Sequence, residues 1–265
     1  MRAYFENKVA AITGAASGIG LAVTELLQEN GATVFMADIN AEGLHEHAGR
    51  LNGIHPGKAK AVVTDVTKAE QVKALVEQAA AHEGHLDFLF NNAGIGATLP
   101  YEQMTLERWK LAIDINLWSV IYGIHAALPI MRRQGHGHIV NTSSAAGVVA
   151  FPFQAVYSAT KFAVAGMTQC LRYEMWDENV RFTTVCPGNV ATAIFKGTAK
   201  IPEDAVPVDE AARIILEGVA RNENLIVFPE GCRQLRKFTD EQMETFLIKL
   251  SRERHENYRT KGTYF

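Results

Sequence analysis

The chain has 265 residues, 48% of them hydrophobic, which is enough to bury the core of one large α/β domain. Its formal net charge of −3 excludes a broad basic surface for nucleic acid or an anionic membrane, and no apolar run is long enough for a membrane span. Three cysteines without a Cys-x-x-Cys pair, and a polar segment from Met1 to Lys8 in place of a signal peptide, predict a cytoplasmic protein with reduced thiols.

Short apolar runs alternate with amphipathic segments along most of the chain. Near-continuous apolar strands are typical of a parallel sheet with helices on both faces. We find no linker or repeat, so we predict a single domain over residues 1–265, with a Rossmann-like, doubly wound parallel α/β fold. The predicted strands are 8–13, 33–37, 59–63, 86–90, 138–142, 181–186 and 225–228, and the predicted helices are 19–30, 41–51, 68–82, 106–132, 155–176 and 207–221.

The first predicted strand runs into a glycine-rich turn that opens the first helix, Thr13-Gly14-Ala15-Ala16-Ser17-Gly18-Ile19-Gly20. Glycine allows positive φ and close approach of the backbone to a ligand. The N-terminus of a helix also presents N–H groups and a partial positive charge to an anion. The turn therefore predicts a pyrophosphate site, although its spacing differs from the Gly-x-Gly-x-x-Gly fingerprint. The predicted contacts are Gly14, Ser17, Gly18, Ile19 and Gly20.

Asp38 ends the second predicted strand. A carboxylate at that position can accept hydrogen bonds from the adenine ribose, and it repels a 2′-phosphate. The glycine turn and the neighbours of Asp38 contain no Arg or Lys that would attract that phosphate. The sequence therefore predicts NAD rather than NADP.

Tyr157 and Lys161 are four residues apart in a predicted helix, so they share one face. A free tyrosine has a pKa of about 10, and a neighbouring positive charge lowers it. The pair therefore predicts a proton-transfer device. His136 and His138 lie in a turn before a strand, without a further cluster of His, Cys or carboxylate, so we predict no metal site.

These motifs resemble the short-chain dehydrogenase/reductase family, in its compact oxidoreductase group. The similarity extends over about 8–192 and more loosely to Phe228. Ser144 stands at the family's usual interval before Tyr157, which selects it over Ser143. The matching residues beyond the glycine turn are Asp65-Val66, Asn91-Asn92-Ala93-Gly94, Asn116, Ser144, Tyr157, Lys161, Pro187-Gly188 and Thr192.

The resemblance implies a catalytic set of Asn116, Ser144, Tyr157 and Lys161. Tyr157 would be the acid or base, Lys161 would lower its pKa and bind the nicotinamide ribose, and Ser144 would hold the substrate oxygen. Asn116 would hold a water that passes protons from Lys161 toward solvent. Asn91 is expected to brace the sheet instead of touching the ligand.

The resemblance also implies cofactor contacts along the rest of the dinucleotide. Asp65 and Val66 would contact adenine, and Asn92, Ala93 and Gly94 would line the ribose and approach the nicotinamide. The turn at Pro187-Gly188 would place two further side chains at the nicotinamide carboxamide, Val190 and Thr192.

The substrate is less sharply predicted. In the family, the segment 193–206 usually shapes the pocket, here with Ile194 and Phe195, and further apolar walls are expected from Ile95, Phe151 and Phe153. We expect a secondary alcohol or ketone with an apolar body. Hydroxysteroid, hydroxyacyl, terpenoid and aromatic compounds all remain open, and no arginine in the sequence is obviously placed to clamp a carboxylate.

The segment 229–265 extends beyond the compact members of the family. Thr239-Asp240-Glu241-Gln242 resembles a capping box, and a helical apolar stripe follows at Met243, Phe246, Leu247 and Leu250. We favour packing of this helix on its own or a partner subunit, and the alternative is a lid over the substrate mouth. Relatives that pair their long helices imply a homodimer or homotetramer.

Two other functions fit the same fold. One is a non-catalytic dinucleotide sensor, which the presence of Ser144, Tyr157 and Lys161 disfavours. The other is an isomerase or lyase that uses transient oxidation, which the compact length and the pattern of the glycine turn disfavour.

Overall fold

Seven parallel strands form one sheet in the computed structural model, which describes residues 1–192, 202 and 204–262. Their order across the sheet is β3-β2-β1-β4-β5-β6-β7, so the chain winds outward from β1 in one direction and from β4 in the other. The strands are β1 (Val9–Thr13), β2 (Thr33–Asp38), β3 (Ala59–Val63), β4 (Phe88–Asn91), β5 (Gly137–Thr142), β6 (Val180–Pro187) and β7 (Leu225–Phe228).

Helices cover both faces of the sheet, which confirms the predicted doubly wound fold. Val23 and Leu27 of α2 pack on one face with Leu216 of α8, whereas Leu75 of α4 and Ile124 of α6 pack on the other. The helices are α1 (Arg2–Phe5), α2 (Gly18–Glu29), α3 (Ala41–Ile54), α4 (Ala69–Glu83), α5 (Leu106–Ile113), α6 (Ser119–Gln134), α7 (Ala155–Glu174), α8 (Val208–Ala220), α9 (Glu230–Leu235) and α10 (Asp240–Lys261).

The predicted strands match the structure to within two residues because their apolar runs are buried on both sides. All five residues of β1 are buried, as expected for a strand between two helical layers. The short helices α1 and α9 are too brief to produce a periodic pattern, and the sequence did not reveal them.

The predicted helix over 106–132 is interrupted in its middle. A π-helical turn, Asp114–Trp118, separates α5 from α6. Asn116 lies in this turn, fully buried, with its side chain directed toward the segment that follows β4. Such π-turns often occur at functional sites.

The continuous helical stretch over 106–134 is long and apolar enough, by composition alone, to cross a membrane. Its most apolar window has a mean hydropathy of 1.4, and 39% of that window is buried inside the protein. The buried positions of α6, including Val120, Ile124 and Ala127, pack into the core on one face of the sheet. This is the pattern of a core helix of an α/β domain.

Candidate active site

A cavity of about 1690 Å³ opens at the carboxyl ends of the strands, where parallel α/β sheets bind ligands. It brings together segments from most of the chain. Its wall includes most of the residues predicted from the sequence: Gly14, Ser17, Gly18, Ile19, Asp38, Asp65, Val66, Asn92, Ala93, Gly94, Ile95, Ser144, Phe151, Tyr157, Lys161, Pro187, Gly188, Val190 and Thr192.

The glycine turn between β1 and α2 leaves its backbone open to this cavity. Gly14 and Gly18 have φ values of +69° and +53°, which favour glycine. Ser17 caps α2 without a side-chain hydrogen bond, so its own side chain does not occupy the first N–H groups of the helix. A Cβ at Gly18 would lie 3.1 Å from Thr192 Cγ2. The turn therefore fits an anionic group such as a dinucleotide pyrophosphate.

Gly20, in contrast, supports the turn from behind and is not among the described residues that line the cavity, so its predicted role as a cofactor contact stays a prediction. A Cβ added there would clash with the carbonyl oxygen of Gly14 and with the side-chain amide of Asn92. Its missing side chain lets the first turn of α2 pack on the glycine turn.

Asp38 is tied to the same turn by hydrogen bonds. Its Oδ2 accepts from Ala16 N at 3.0 Å, and its Oδ1 accepts from Asn40 N at 3.0 Å. Each carboxylate oxygen has a second lone pair available for a ribose hydroxyl. Ile39, 70% exposed, follows it along the same cavity wall.

Asp65 lies beside Val66 at the end of the cavity that is predicted to hold adenine. Its Oδ1 accepts from the Thr67 hydroxyl at 2.7 Å and from Thr67 N at 2.9 Å. These hydrogen bonds lower the pKa of Asp65 below its usual value, so its carboxylate is ionised at neutral pH.

The ends of β1 and β4 are joined by Thr13. Its hydroxyl oxygen accepts from Asn92 N at 3.0 Å and from Ala93 N at 3.1 Å. Asn91 is buried, and its Nδ2 donates to Asn141 Oδ1 at 2.8 Å, an arrangement that braces neighbouring strands as its predicted role requires.

Tyr157 and Lys161 lie side by side on the first turns of α7. The Lys161 ammonium is 5.6 Å from the centre of the Tyr157 ring, and it donates to the carbonyl oxygen of Thr142 at 3.0 Å. Lys161 is only 3% exposed. Because burial disfavours the charged form, it lowers the pKa of Lys161 to about 8.

The pKa of Tyr157 differs from the sequence-based expectation. Enclosure of the phenol by the protein raises its pKa above the usual value, and a hydrogen bond with Ser144 lowers it by less. The protein's own groups therefore do not bring this tyrosine toward neutral pH, because desolvation outweighs the neighbouring hydroxyl.

Ser144 and Ser143 both border the cavity but make different hydrogen bonds, and the choice of Ser144 as the active hydroxyl stays a prediction. Ser143 Oγ donates to the carbonyl oxygen of Lys161 at 2.7 Å and so links two structural elements. Ser144 Oγ accepts from Ala146 N at 3.1 Å, donates to the carbonyl oxygen of Pro187 at 3.3 Å and lies beside the Tyr157 phenol.

Asn116 lies behind the cavity wall and holds the segment that follows β4. Its Oδ1 accepts from Ile95 N at 2.8 Å, and its Nδ2 donates to Ile95 O at 3.0 Å. A Cβ at Gly94 would lie 3.2 Å from Asn116 Oδ1 and 3.3 Å from Lys161 Nζ. Glycine at this position thus lets the chain pass close to both side chains.

The C-terminal helix α10 forms the opposite wall. Its predicted capping box is present, with Thr239 and Gln242 bonded reciprocally. Phe246 meets Phe151 edge-to-face with ring centres 6.5 Å apart, and both rings line the cavity. The helix therefore packs on its own subunit and faces the cavity with the same surface, so the two predicted roles are compatible.

Among the predicted substrate residues that the structure describes, Phe153 does not line the cavity. Phe153 has a φ of +65°, and its ring packs on His255 of α10 with centres 4.8 Å apart. It supports α10 and is not part of the cavity lining in the described chain. Ile194 and Phe195 lie outside the described residues.

Arg254 lines the cavity, although it is not among the residues predicted from the sequence. The signal was its position four residues after Leu250, which continues the predicted stripe of α10 along one helical face. An arginine after an apolar stripe is ordinarily exposed, so the burial of Arg254 becomes visible only in the structure.

No group of three or more potential metal ligands occurs within residues 1–192, 202 and 204–262. His138 is buried with its Nε2 2.9 Å from the Thr183 hydroxyl. Burial, with smaller contributions from Arg181 and Arg172, lowers the pKa of His138 to about 3, so this ring is neutral.

Comparison with known proteins places these features in context. A family model for the short chain dehydrogenases matches residues 8–202. A 3-oxoacyl-(acyl-carrier-protein) reductase of Thermotoga maritima is 40% identical over 200 residues, which cover 76% of this chain and 80% of the relative.

Solved structures show the same fold. A short-chain dehydrogenase/reductase from Burkholderia phymatum, in complex with NAD, superposes with a TM-score of 0.79 and 27% identity, covering 97% of this chain and 95% of that one. An alcohol dehydrogenase from the archaeon Thermococcus sibiricus, complexed with 5-hydroxy-NADP, has a TM-score of 0.76 and 26% identity, covering 84% and 96% respectively.

Proposed function

The chain belongs to the short-chain dehydrogenase/reductase family of oxidoreductases, and on that basis we propose that it interconverts a secondary alcohol and a ketone with NAD as cofactor. One observation carries the proposal: Ser144, Tyr157 and Lys161 meet in a cavity whose other end is the open glycine turn with Asp38. The Phe151–Phe246 pair supports a substrate with an apolar body.

The glycine turn, Asp38 and Asn92 to Gly94 would hold the dinucleotide. Bound there, the dinucleotide would supply the acceptor or donor of the hydride for the carbinol carbon, and the positive charge of its oxidised form would favour the Tyr157 phenolate. Asp38 supports the choice of NAD because its carboxylate, fixed by Ala16 N, repels a 2′-phosphate.

Proton transfer is assigned to Tyr157. In alcohol oxidation its phenolate takes the hydroxyl proton while the carbinol carbon loses hydride, so the oxygen becomes a carbonyl and the proton stays on Tyr157. In ketone reduction the phenol returns that proton to the developing alkoxide. Ser144 donates a hydrogen bond to the same oxygen and stabilises its developing charge.

Lys161 has two tasks in this scheme. Its ammonium beside the Tyr157 ring stabilises the phenolate whenever it forms. The Lys161 ammonium and the Asn116 side chain also both lie close to Gly94. From the Lys161 ammonium a proton would pass by way of Asn116 toward solvent.

The test is a panel of secondary alcohols and ketones, assayed with NAD and NADP on the wild type, Tyr157→Phe and Tyr173→Phe. Tyr173 lies on the same helix but is 59% exposed and outside the cavity. We expect Tyr157→Phe to lose roughly 10²- to 10⁴-fold in turnover with normal folding, and Tyr173→Phe to lose nothing. Near-normal turnover of Tyr157→Phe would refute the mechanism, and no net NADH from any alcohol would favour a sensor or an isomerase.

We propose that the protein is a homodimer or homotetramer, because apolar side chains of its long helices are exposed. The rings of Trp118, just before α6, and Tyr122, in α6, stack on each other, and Phe162 of α7 is 43% exposed. The paired occupant would be a second copy of this chain, since relatives of the family pair these helices. Light scattering on the wild type and Phe162→Glu tests this, and a monomeric wild type would contradict it.

The same proposal places the protein in the cytoplasm. All three cysteines, Cys170, Cys186 and Cys232, are free thiols, which suits a reducing compartment. Fractionation of the cells that make the protein would test this location, and recovery of the protein in a membrane or secreted fraction would exclude it.

A further inference from the structure

Gln154 lines the cavity at the N-terminus of α7, three residues before Tyr157. Its carbonyl oxygen accepts from Ser158 N at 2.7 Å, so the helical hydrogen bonding of α7 already begins at this residue. Residues three apart on a helix are neighbours on one face. The Gln154 side chain therefore lies on the same side of α7 as the phenol to which proton transfer is assigned.

The amide of Gln154 is anchored at one atom only. The residue that precedes a helix often bonds the first N–H groups with its side chain, and Gln154 makes no such bond. Its Nε2 donates instead to Thr98 Oγ1 at 3.2 Å, which is its only side-chain hydrogen bond within residues 1–192, 202 and 204–262. A side-chain amide has two N–H donors and two lone pairs, so one N–H and both lone pairs of Oε1 remain available to a ligand.

The cavity wall around this amide is largely apolar. Leu99, which follows Thr98 in the chain, lines the cavity together with Ile95 and Phe151. Gln154 is half-buried, so a ligand that fills this part of the cavity removes the amide from water. An amide without a partner in such surroundings costs free energy, and ligand pockets use a few polar groups in an apolar wall to orient what they bind.

We propose that Gln154 selects the substrate through a hydrogen bond to a neutral hydroxyl group close to the reacting carbonyl, so that the substrate is a hydroxy ketone, or a diol in the oxidising direction. This inference rests on the proposed function and narrows its substrate class. A hydroxyl group fits the amide because it can donate to Oε1 and accept from Nε2. A carboxylate fits less well, since the neutral amide offers no charge that would offset its desolvation.

Only one of the two oxygen groups reacts. In the reduction, the carbonyl carbon at Ser144 and Tyr157 receives a hydride from the reduced dinucleotide, and its oxygen receives the proton of Tyr157. The hydroxyl group at Gln154 keeps its bonds throughout, so it contributes to binding and orientation and not to the chemical step.

The experiment uses alkyl and aryl ketones with a hydroxyl group on the α-, β- or γ-carbon, each beside its deoxy analogue and its methyl ether. Reduction, with whichever of NADH and NADPH the wild type uses, is measured on the wild type, Gln154→Met, Thr98→Val, Thr98→Ser and the control Gln78→Met. Methionine keeps the length of the glutamine side chain without the amide. Gln78 is exposed on α4 and does not line the cavity. Thermal melting of each variant monitors folding.

We expect the wild type to prefer one hydroxy ketone over its deoxy analogue by roughly 10- to 100-fold in kcat/KM, because the deoxy compound leaves the amide unpaired. The methyl ether accepts but cannot donate, so it should lose most of that preference. Gln154→Met should remove the preference while still reducing the deoxy ketone. Thr98→Val should weaken it, because the amide loses its anchor, and Thr98→Ser and Gln78→Met should match the wild type.

Equal reduction of every hydroxy ketone and its deoxy analogue by the wild type would overturn the inference and leave the proposed function intact. A preference that survives in Gln154→Met, or one that the methyl ether shares in full, would also overturn it. Reduction of none of these ketones would count against the proposed function. Calorimetric binding to the cofactor-loaded Tyr157→Phe variant then decides: tighter binding of the hydroxy ketone would support Gln154 as its site, and equal binding of the deoxy analogue would refute it.

Discussion

The two ends of the cavity are constructed in different ways. At the cofactor end, formed by the glycine turn, Asp38 and residues 92–94, most contacts are backbone groups held by neighbouring strands. At the substrate end, formed by Phe151, Phe246, Leu250 and Arg254, side chains meet from distant segments: Arg254 and Pro152 are 102 residues apart. The cofactor end thus depends on local turn geometry, and the substrate end depends on how one helix docks.

This difference agrees with the range of the family match, which ends at residue 202, before α10 begins. The shared part of the chain contains the residues that we propose hold the dinucleotide and transfer the proton. The part that follows supplies the far wall of the cavity. Changes at the two ends should therefore affect different kinetic constants, and the predictions below test that separation.

The largest effect is expected at the cofactor end from Gly20→Ala. The added methyl group would clash with the Gly14 carbonyl, so the turn must shift. We expect NAD affinity to fall by roughly 100-fold or more, which corresponds to about 3 kcal/mol, with a lower melting temperature. Isothermal titration with NAD measures the effect.

Gly49→Ala is the matched control for Gly20→Ala. Gly49 lies in α3, and an added Cβ there has no neighbour within 4 Å. Alanine should stabilise that helix by about 0.5–1 kcal/mol, without changing NAD binding. Equal NAD affinity in Gly20→Ala and the wild type would show that the cofactor end tolerates a displaced turn.

Asp38→Asn is expected to change cofactor choice by roughly 10- to 100-fold, because it removes the charge that repels a 2′-phosphate. The amide retains an oxygen for Ala16 N or Asn40 N, so the fold of the turn should persist. The ratio of kcat/KM values for NAD and NADP is the measurement. Glu42→Gln, on the first turn of α3 and outside the cavity, is the control for loss of charge alone.

The cofactor end can be predicted from the sequence more fully than the substrate end, because its geometry is local. Strand runs, the glycine turn, Asp38 and the Tyr157–Lys161 spacing are short-range patterns, so the fold and most predicted cavity residues could be recognised directly. Arg254 is defined by its contact with Pro152, and no local pattern encodes such a contact. The raised pKa of Tyr157 likewise depends on burial by the assembled fold.

Phe153 illustrates the same limit at a single residue. Because it is close to Phe151 in sequence, Phe153 was expected on the cavity wall. Its backbone has a positive φ, which is uncommon for phenylalanine and cannot be predicted from the sequence. Its ring packs on His255 in the structure. The π-helical turn at Asn116 escaped prediction because helical periodicity is nearly unchanged across one turn.

Acid should lower the stability of the whole fold, and so disturb both ends of the cavity together. The group responsible is His138, which is buried in the sheet. The Thr183 hydroxyl donates to Glu223 O and so accepts from His138 Nε2, which fixes the Nε2–H tautomer, and burial keeps the ring neutral. The folded pKa of about 3 lies below the unfolded value of about 6.5, so the unfolded state binds the proton first. The free energy of unfolding should fall as pH drops from about 6.5, by up to about 1.4 kcal/mol per pH unit, and level off near pH 3.

Urea unfolding at a series of pH values, for the wild type, His138→Gln and His45→Gln, measures this contribution. His45 is exposed on α3 and should leave the pH dependence unchanged. His138→Gln should be less stable at neutral pH but have a shallower slope below pH 6.5. An identical slope in all three proteins would show that other groups, such as carboxylates, account for acid sensitivity.

The smallest effect is expected at the substrate end from Phe246→Ala. Phe246 is half-buried and packs edge-to-face on Phe151 and Phe238, with ring centres 6.5 and 6.2 Å away. Such ring pairs contribute about 0.5–1.5 kcal/mol, so KM for an apolar substrate should rise by roughly 3- to 10-fold while KM for NAD stays constant. Ile248→Ala is the control, since Ile248 is 46% exposed on the same helix and outside the cavity. A parallel rise in both KM values would mean that α10 also positions the cofactor end, and the two ends would then be one cooperative unit.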